Sequence, residues 1–344
     1  MVFDSLFGSF SNDIAIDLGT ANTRVYAKGV GVIANEPTIV AFQPNGRQVR
    51  KVIAVGSEAK AMRGRTPNGV ESVKPMKEGV ISDYEMTEQM LKYFIQKGKS
   101  KKSFFRPRVI VCVPFGITDV ERRAVRESAE AAGARLVHLV EEPVAAAIGA
   151  GLPIDEASGC MIVDVGGGTS EVAVLSLSGI VFSRSIRVGG DKIDEAIINH
   201  IRRAHNLHIG EHTAELIKKT IGSALATGED LKMEVRGGDL VEGVPKIVEI
   251  TEQEIREAIS EPLKQIVDII KLALENTPPE LAGDILDRGV VLSGGGSLLR
   301  HFDALIHYET GLPVSYAKDP LTAVVVGSGK ILDDERLLHE VSIQ

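Results

Sequence analysis

The sequence has few aromatic residues and no tryptophan. Aromatic side chains make up 4% of its 344 residues. Sites that bind carbohydrate or single-stranded nucleic acid through stacked rings need several such side chains close together. The composition therefore argues against a stacking platform of this kind.

Cysteines and long apolar runs are scarce as well. Cys112 and Cys160 are the only cysteines and lack C-x-x-C spacing; both lie in apolar segments, which favours buried, reduced thiols in a cytosolic protein over a disulfide framework or a zinc site. No apolar run approaches the roughly 18 residues of a membrane-spanning helix. Asp4 stands where a secretory signal carries Lys or Arg, so we expect a chain that is neither exported nor membrane-spanning.

The remaining composition is typical of globular proteins, with 44% hydrophobic and 25% charged residues. At roughly 150 residues per domain, the length suggests two domains. The 39 basic and 47 acidic residues give a net charge of -8, which argues against a surface that binds nucleic acid as a whole. The 35 glycines indicate places where the backbone turns tightly or approaches a ligand.

Short apolar runs, rich in β-branched residues, alternate with helical patterns along the chain. This alternation predicts an α/β fold with buried strands. The predicted strands include residues 14–16, 109–113, 136–140, 161–163 and 290–292. The polar stretch 223–243 predicts short strands and loops of a small subdomain.

Two of the helical patterns have recognisable starts. Thr118 with Glu121, and Thr251 with Glu254, have the spacing of capping boxes. Pro262 falls inside the second pattern, where it predicts a kink or a break in the helix.

Two segments of the chain resemble each other. Ile-Ala-Ile-Asp-Leu-Gly-Thr at residues 14–20 aligns with Met-Ile-Val-Asp-Val-Gly-Gly at residues 161–167, and Asp17 and Asp164 fall in register, 147 residues apart. Each segment continues through small polar residues into another apolar stretch, which predicts a β-hairpin with an aspartate at the end of its first strand. Two such hairpins indicate related domains that face each other across a cleft.

Three glycine-rich turns follow predicted strands, at residues 19–22, 166–169 and 293–297. Glycine lets backbone N–H groups approach a phosphate chain without a side chain in the way, and the third turn precedes a helical segment whose N-terminus favours an anion. One such turn alone is equally well explained as a hairpin. Three together, two of them beside matching aspartates, indicate a phosphate-binding site.

Three acidic residues are candidates for the chemistry of this site. Asp17 and Asp164 are suited to a hydrated Mg²⁺ ion that bridges phosphates, although aspartates also cap turns. Glu142 follows a predicted strand and begins a proline-started helix, a position from which it can orient or deprotonate a water that attacks a γ-phosphate. The alternative for Glu142 is a first-turn acid that the helix dipole favours.

Four segments carry a family resemblance: Asp-Leu-Gly-Thr-Ala-Asn-Thr at 17–23, Glu-Pro-Val-Ala-Ala-Ala-Ile-Gly-Ala-Gly-Leu-Pro at 142–153, Asp-Val-Gly-Gly-Gly-Thr at 164–169, and Ser-Gly-Gly-Gly-Ser at 293–297. They resemble the actin/Hsp70/sugar-kinase ATPase superfamily. Within it, the chain is similar nearly end to end to the MreB family of bacterial actins, which direct rod-shaped wall growth.

The resemblance implies an actin-like α/β fold in which two related domains, each with a mixed sheet flanked by helices, hold a nucleotide between them. The implied boundaries are domain I at residues 1–150, with an N-terminal amphipathic helix at 1–11 and a small subdomain at about 35–72; domain II at 151–317, with a small subdomain at about 185–248; and a return to domain I at 318–344.

The resemblance also assigns roles to residues. Glu142 and Thr169 match the water-activating and nucleotide-sensing positions of the family. Arg24 and Ser170 depart from the residues usual there, and we expect these departures to affect strand packing alone. The residues implied to hold the nucleotide are Gly19, Thr20, Ala21, Asn22, Gly166, Gly167, Gly168, Thr169, Glu215, Leu216, Ile217, Lys218, Gly294, Gly295, Gly296, Ser297 and Leu298.

The implied activity is slow ATP hydrolysis, with ATP and Mg²⁺ as cofactors, coupled to the assembly of filaments, which we expect to be paired protofilaments. The implied partners are other copies of the chain, the inner face of the cell membrane, and the cell-wall elongation machinery with its membrane proteins; we expect no nucleic acid. Three alternatives stay open: a small-molecule kinase, a chaperone-type ATPase, and a filament former with negligible turnover.

Two segments are candidates for membrane contact. The basic stretch at 97–108 holds six basic residues, no acidic residue, and the pair Phe104 and Phe105, which is typical of a loop that dips into a bilayer surface; its alternative is a solvated basic turn. The N-terminal segment predicts a short amphipathic helix, whose alternative is a tail that docks on its own domain or frays. We expect both segments to face the same way. The apolar stripe of the helix consists of Val2, Phe3, Leu6, Phe7 and Phe10.

Overall fold

The computed structural model describes residues 13–44, 50–63, 69–98, 106–226, 228–229 and 231–343. The strands are β1 Ile14–Leu18, β2 Asn22–Ala27, β3 Gly31–Pro37, β4 Val40–Gln43, β5 Lys51–Val55, β6 Glu71–Val73, β7 Met76–Lys77, β8 Val80–Ile81, β9 Arg108–Val113, β10 Leu136–Glu141, β11 Cys160–Val165, β12 Ser170–Ser176, β13 Gly179–Ile186, β14 Leu207–His208, β15 Lys232–Asp239, β16 Pro245–Thr251, β17 Val290–Ser293, β18 Val314–Tyr316 and β19 Ser342–Ile343.

Helices connect these strands. They are α1 Ser57–Met62, α2 Tyr84–Gly98, α3 Asp119–Ala131, α4 Glu142–Ala150, α5 Gly190–His205, α6 Glu211–Ile221, α7 Glu252–Glu275, α8 Pro279–Arg288, α9 Phe302–Thr310, α10 Ala323–Asp333 and α11 Glu335–Val341, with a 3₁₀ turn at Gly296–Leu298.

Two large sheets follow one plan. The six-stranded sheet has the order β19-β10-β9-β1-β2-β3, in which β10, β9 and β1 are parallel and the hairpin β1–β2 is antiparallel. The five-stranded sheet has the order β13-β12-β11-β17-β18, in which β11–β12 is the equivalent hairpin and β17 and β18 run parallel to β11. The predicted strands and both predicted hairpins are therefore confirmed.

The register of the two hairpins is also equivalent. Asp17 lies opposite Arg24 on the neighbouring strand, and Asp164 lies opposite Glu171. The aspartate near the end of each first strand consequently lies opposite an ionisable residue, which is an arginine in the first sheet and a glutamic acid in the second.

Three smaller sheets accompany the large ones, in the orders β5-β4-β6, β14-β15-β16 and β7-β8. The stretch 223–243, for which we predict only short strands and loops, contains the whole eight-residue strand β15. The next strand, β16, pairs antiparallel with β15 from Lys232 to Gly238, a hairpin that the irregular apolar pattern of the segment does not reveal.

Helices α4 and α10 lie between the two large sheets. Their buried residues form one apolar cluster with Ala15 and Ile110 of the first sheet and Ile162 and Ala173 of the second. The two helices approach so closely that a Cβ atom at Gly327 would collide with the Ala145 carbonyl. Burial on both sides therefore fixes the helix that begins with Glu142 relative to both sheets.

The helix ends agree with the predicted patterns. Both capping boxes are present, with the hydroxyls of Thr118 and Thr251 accepting hydrogen bonds from the N–H groups of Glu121 and Glu254. Of the predicted kink or break at Pro262, the break is wrong, because α7 runs through this residue as one helix, and the kink stays a prediction. Pro262 is buried among the apolar residues of this long helix, and their burial outweighs the lost backbone hydrogen bond.

The chain finishes on the first sheet. Strand β19 pairs antiparallel with β10, and α10 contacts β1, β2 and β9. The predicted domain boundaries stay a prediction, with β19 and α10 consistent with a return of the last segment to the first half.

The cysteines and the candidate membrane segments are further subjects of the sequence predictions. Cys112 and Cys160 are free and buried, at 1% and 2% exposure. Within the described ranges, no helix combines the length and the apolar character needed to cross a bilayer. The predicted membrane residues Val2, Phe3, Leu6, Phe7, Phe10, Phe104 and Phe105 lie outside the described residues.

Candidate functional site

A cleft with a volume of about 1100 Å³ runs between the two large sheets and is open to solvent. The β1–β2 and β11–β12 turns form opposite walls, and Asp17, Glu142 and Asp164 also line the cleft. Most residues predicted to hold a nucleotide line this cleft: Gly19, Thr20, Ala21, Asn22, Gly166, Gly167, Gly168, Thr169, Glu215, Lys218, Gly294, Gly295, Gly296 and Leu298.

Three predicted residues do not line the cleft. On α6, the helical period turns Glu215 and Lys218 to the cleft, while Ile217 points into the apolar core and Leu216 is 47% exposed. Ser297 is fully buried, and its hydroxyl donates to the Gly294 carbonyl. The assignment of Leu216, Ile217 and Ser297 to the nucleotide stays a prediction, and their side chains do not contribute to the cleft lining.

The two glycine turns touch each other across the cleft. A Cβ atom at Gly167 would collide with Ala21, and one at Gly168 would collide with the Thr20 side chain. Only glycine allows the two backbones to approach so closely. The turns therefore present their backbone groups to the same small space.

Backbone hydrogen bonds hold the second turn in place. The N–H of Gly190 donates to Gly166 O at 3.0 Å, and that of Asp191 donates to Gly167 O at 2.7 Å. On the opposite wall, Thr20 Oγ1 accepts from the Gly79 N–H at 3.0 Å. Both walls are thus ordered by contacts from outside the hairpins themselves.

The three predicted acids are buried and close enough to influence one another. Asp17, Glu142 and Asp164 are 5%, 8% and 6% exposed. Burial raises the pKa of Asp164 to about 6, opposed by the hydrogen bond from Ser293 Oγ to its Oδ1. Burial, together with the neighbouring carboxylates, raises the pKa of Glu142 well above its usual value. Nearby positive charge would therefore stabilise the ionised form of these carboxyl groups.

Sequence reasoning missed a fourth buried acid, Glu171 on β12. This residue has no exposed surface, and its Oε1 accepts from Ser185 Oγ at 2.8 Å and from the Phe115 N–H at 3.1 Å. Burial raises the pKa of this carboxyl to about 8 despite these hydrogen bonds. The available sequence signal is an acidic residue directly before the apolar run that follows the second glycine turn.

Arg24 also belongs to the site. Its Nη1 donates to Asp17 Oδ2 at 3.0 Å, and its side chain lines the cleft. The prediction that Arg24 affects strand packing alone is therefore wrong, because cross-strand pairing puts it directly opposite Asp17. Ser170, the other departure, is fully buried and donates to Val188 O at 2.6 Å.

Ion pairs join the two walls at the mouth of the cleft. They connect α1 and the segment before β7 to α6 and the start of α5, an arrangement between distant segments that has no local sequence signal. These cleft-mouth ion pairs are Lys60–Glu215 at 3.4 Å, Arg63–Glu211 at 3.0 Å, Lys74–Asp191 at 3.3 Å and Lys74–Glu211 at 3.2 Å.

The charged side chains of α6 that line the cleft form ion pairs and hydrogen bonds with other residues. Lys218 Nζ lies 2.8 Å from Asp194 Oδ1 and donates to Gly190 O at 3.0 Å. Burial acts to raise the pKa of Glu215, but its ion pairs with Lys219 and Lys60 prevail and lower it to about 2. Glu215 is therefore a carboxylate at neutral pH and a ready acceptor for hydroxyl groups.

Comparisons with a family model and with known protein sequences point to the same family. The family model for MreB/Mbl protein matches residues 11–340. The cell shape-determining protein MreB of Escherichia coli strain K12 is 57% identical over 329 residues, which are 95% of this chain and 94% of the E. coli protein.

Solved structures share the fold. MreB5 of Spiroplasma citri, solved bound to AMPPNP, is 38% identical with a TM-score of 0.88, and the match covers 95% of this chain and 97% of that one. A chain of the MamK double helical filament is 21% identical with a TM-score of 0.80 over 94% of this chain and 99% of its own, and it supports the fold alone. The actin-like α/β fold is thus confirmed, and the chain belongs to the MreB/Mbl family.

Proposed function

We propose that this protein is an actin-like ATPase that polymerises on the inner face of the cell membrane and directs cell-wall synthesis to maintain rod shape. The observation that carries the proposal is the pair of equivalent hairpins, which bring two glycine turns and the aspartates Asp17 and Asp164 to one cleft. Membership of a family of cell shape-determining proteins supports the cellular role.

The cleft suits a nucleoside triphosphate. The backbones at 19–22 and 166–169 provide N–H donors to a phosphate chain, while Glu215 and Lys218 line the part of the cleft beside α6, where they are suited to the ribose and base. The AMPPNP-bound Spiroplasma citri relative supports this assignment. The bound nucleotide then bridges the two halves of the protein.

The acids fit a hydrated Mg²⁺ ion. Asp17 and Asp164 are buried carboxylates on opposite walls, and their mutual repulsion favours a cation between them. Within the described ranges, no cluster of three or more His, Cys, Asp or Glu side chains is arranged to hold a metal by itself, but Mg²⁺ needs only one or two carboxylates when phosphates and waters complete its shell. The ion would neutralise charge on the β- and γ-phosphates.

Glu142 is the residue to orient the attacking water. It lies at the N-terminus of α4, in the wall between the two glycine turns, and its raised pKa makes it a stronger base than an exposed glutamate. Thr169, 8% exposed at the end of the second turn, is the residue that would sense the γ-phosphate. Hydrolysis would loosen the contact between the halves and so favour disassembly.

Glu142→Gln tests the proposal because it keeps the size of the side chain and removes the ionisable carboxyl. We expect the parent to pellet with ATP and Mg²⁺ and to release phosphate without any added acceptor. The variant should still pellet but release phosphate about 100-fold more slowly.

Both properties should be measured on the same samples, with Glu141→Gln as the matched control on the neighbouring carboxyl. A parent that never pellets, alone or on lipid, contradicts filament formation. Phosphate release that requires an acceptor favours the kinase alternative, and unchanged release by Glu142→Gln contradicts the role of Glu142.

Membrane contact is supported by where the two candidate segments leave the fold. Arg108, the last residue of the basic stretch, donates from its N–H to Asp13 Oδ1 at 3.0 Å. Gly98, near the start of that stretch, packs against the Ile14 side chain. Both segments therefore adjoin the same end of the first sheet, where the parallel strands β1 and β9 begin. Many copies in a filament would turn two weak anchors into stable attachment.

Removal of both anchors tests this part of the proposal. We expect a chain without residues 1–11 and with Phe104→Ser and Phe105→Ser to lose co-sedimentation with vesicles of anionic lipid. The matched control combines the same deletion with Tyr308→Ser, an aromatic residue that is 78% exposed elsewhere. Vesicle binding equal to that of the parent would exclude both segments as anchors.

A further inference from the structure

Arg24 is a largely buried cation among the acids of the cleft. Its side chain is 12% exposed and pairs with Asp17. Its buried Nε has no hydrogen-bond partner among the described residues. A guanidinium held in this way has donor capacity left over, because its N–H groups form a rigid fork suited to oxyanions.

The fold does not require this charge. Arg24 and Glu171 occupy equivalent positions in the two hairpins, each opposite the aspartate of its own half. One hairpin thus accommodates a cation where the other accommodates an acid. The positive charge at position 24 therefore has to be explained by the cleft that its side chain lines rather than by the strand pairing.

Arg24 faces the groups that an Mg²⁺ ion would face. Its charge acts to lower the pKa of Asp17, Glu142 and Asp164, against the burial that raises all three. A metal ion held by Asp17 would share that carboxylate with the guanidinium. Arg24 would supply a permanent positive charge there, and the metal ion an exchangeable one.

We propose that Arg24 is a built-in cation of the nucleotide site, which balances Asp17 before metal binding and donates to the phosphates, so that nucleotide binding depends less on Mg²⁺ than with an uncharged residue at position 24. This inference rests on the proposed nucleotide site. Its physical basis is that a fixed guanidinium lowers the repulsion between phosphates and carboxylates without any exchangeable ion.

The test is the ratio of two dissociation constants for AMPPNP, one measured with EDTA and one with Mg²⁺, by calorimetry on the full chain. We expect Arg24→Met to raise this ratio at least tenfold over the parent, through weaker binding in EDTA. Arg24→Lys keeps the charge and should stay closer to the parent. Arg184→Met, which removes an exposed arginine from β13, should leave the ratio unchanged.

A second measurement avoids the variants altogether. The parent should bind AMPPNP in EDTA within about a hundredfold of its affinity with Mg²⁺, and a larger loss overturns the inference. Equal ratios for the parent and Arg24→Met, or equal ratios for Arg24→Lys and Arg24→Met, also overturn it. Absence of AMPPNP binding by the parent even with Mg²⁺ would instead overturn the proposed function, so the two failures are distinct.

Discussion

Glu171 makes the free energy of unfolding fall as the pH rises. Burial raises its pKa from 4.5 to about 8, so the folded chain keeps a proton that the unfolded chain loses at lower pH. Its contribution to the free energy of unfolding is present below pH 4.5 and is lost as pH rises towards 8. Most carboxylates, which are stabilised as anions, act in the opposite direction.

Glu171→Gln isolates this effect, because the amide keeps an acceptor for Ser185 and Phe115 but does not titrate. We expect its free energy of unfolding, relative to the parent, to rise by about 1.4 kcal/mol per pH unit between about pH 5 and pH 8. Urea unfolding of the nucleotide-free chain measures this. Glu234→Gln, at an exposed site, is the control, and a pH-independent difference would contradict the assignment.

At the scale of single residues, the sequence predicts the turns better than the charges around them. Asp17, Asp164 and the glycines have a recognisable order along the chain. Arg24 and Glu171 owe their importance to strand pairing across the hairpin and to burial. Neither property follows from the residue type, which on a strand is more often at the surface.

At the scale of elements, the contact between α4 and α10 depends on two glycines. Cβ atoms at Gly149 and Gly327 would collide with the Ala323 and Ala145 carbonyls of the facing helix. We expect Gly327→Ala to lower the free energy of unfolding by about 2–3 kcal/mol, because the helices must separate, and to slow phosphate release by displacing Glu142 at the start of α4.

Gly283→Ala is the matched control for that prediction. Gly283 also lies within a helix, α8, but its Cβ position is in open space, so the substitution should stabilise the chain by about 0.5–1 kcal/mol. Thermal and urea unfolding show whether each substitution lowers or raises the free energy of unfolding. Equal effects of the two substitutions would show that helix propensity, rather than the close contact, governs Gly327.

Elements with local causes were predicted well. The capping boxes at Thr118 and Thr251 act within four residues of sequence, and both are present. The helix α7 continues through Pro262 because its apolar face packs in the core of the second half, and β15 depends on its pairing with the next strand, β16. Packing of this kind overrides local preference, and a single sequence does not show it.

At the scale of the whole molecule, the cleft-mouth ion pairs hold the two walls together. Each is partly exposed and worth less than about 1 kcal/mol, but Glu211 pairs with both Arg63 and Lys74. We expect Glu211→Lys to speed the release of a fluorescent ATP analogue about five- to tenfold, and high salt to have a similar effect on the parent. Stopped-flow displacement measures both.

The control for this prediction is Lys271→Glu, which breaks the ion pair with Glu309 far from the cleft and should leave the release rate unchanged. Arg63→Glu combined with Glu211→Lys should recover part of the slow release by re-forming one pair. If salt and Glu211→Lys leave the rate as it is in the parent, closure does not depend on these charges.

The pairing of β19 with β10 has a consequence for biosynthesis. All strands of the second sheet, from β11 to β18, leave the ribosome before β19 does. The second sheet can therefore be completed on the nascent chain while the outer edge of β10 still lacks its partner. An unpaired strand edge attracts other strands. The half of the protein that is made first is thus completed second, and until β19 is made the outer side of β10 at Leu139 and Val140 lacks its strand partner.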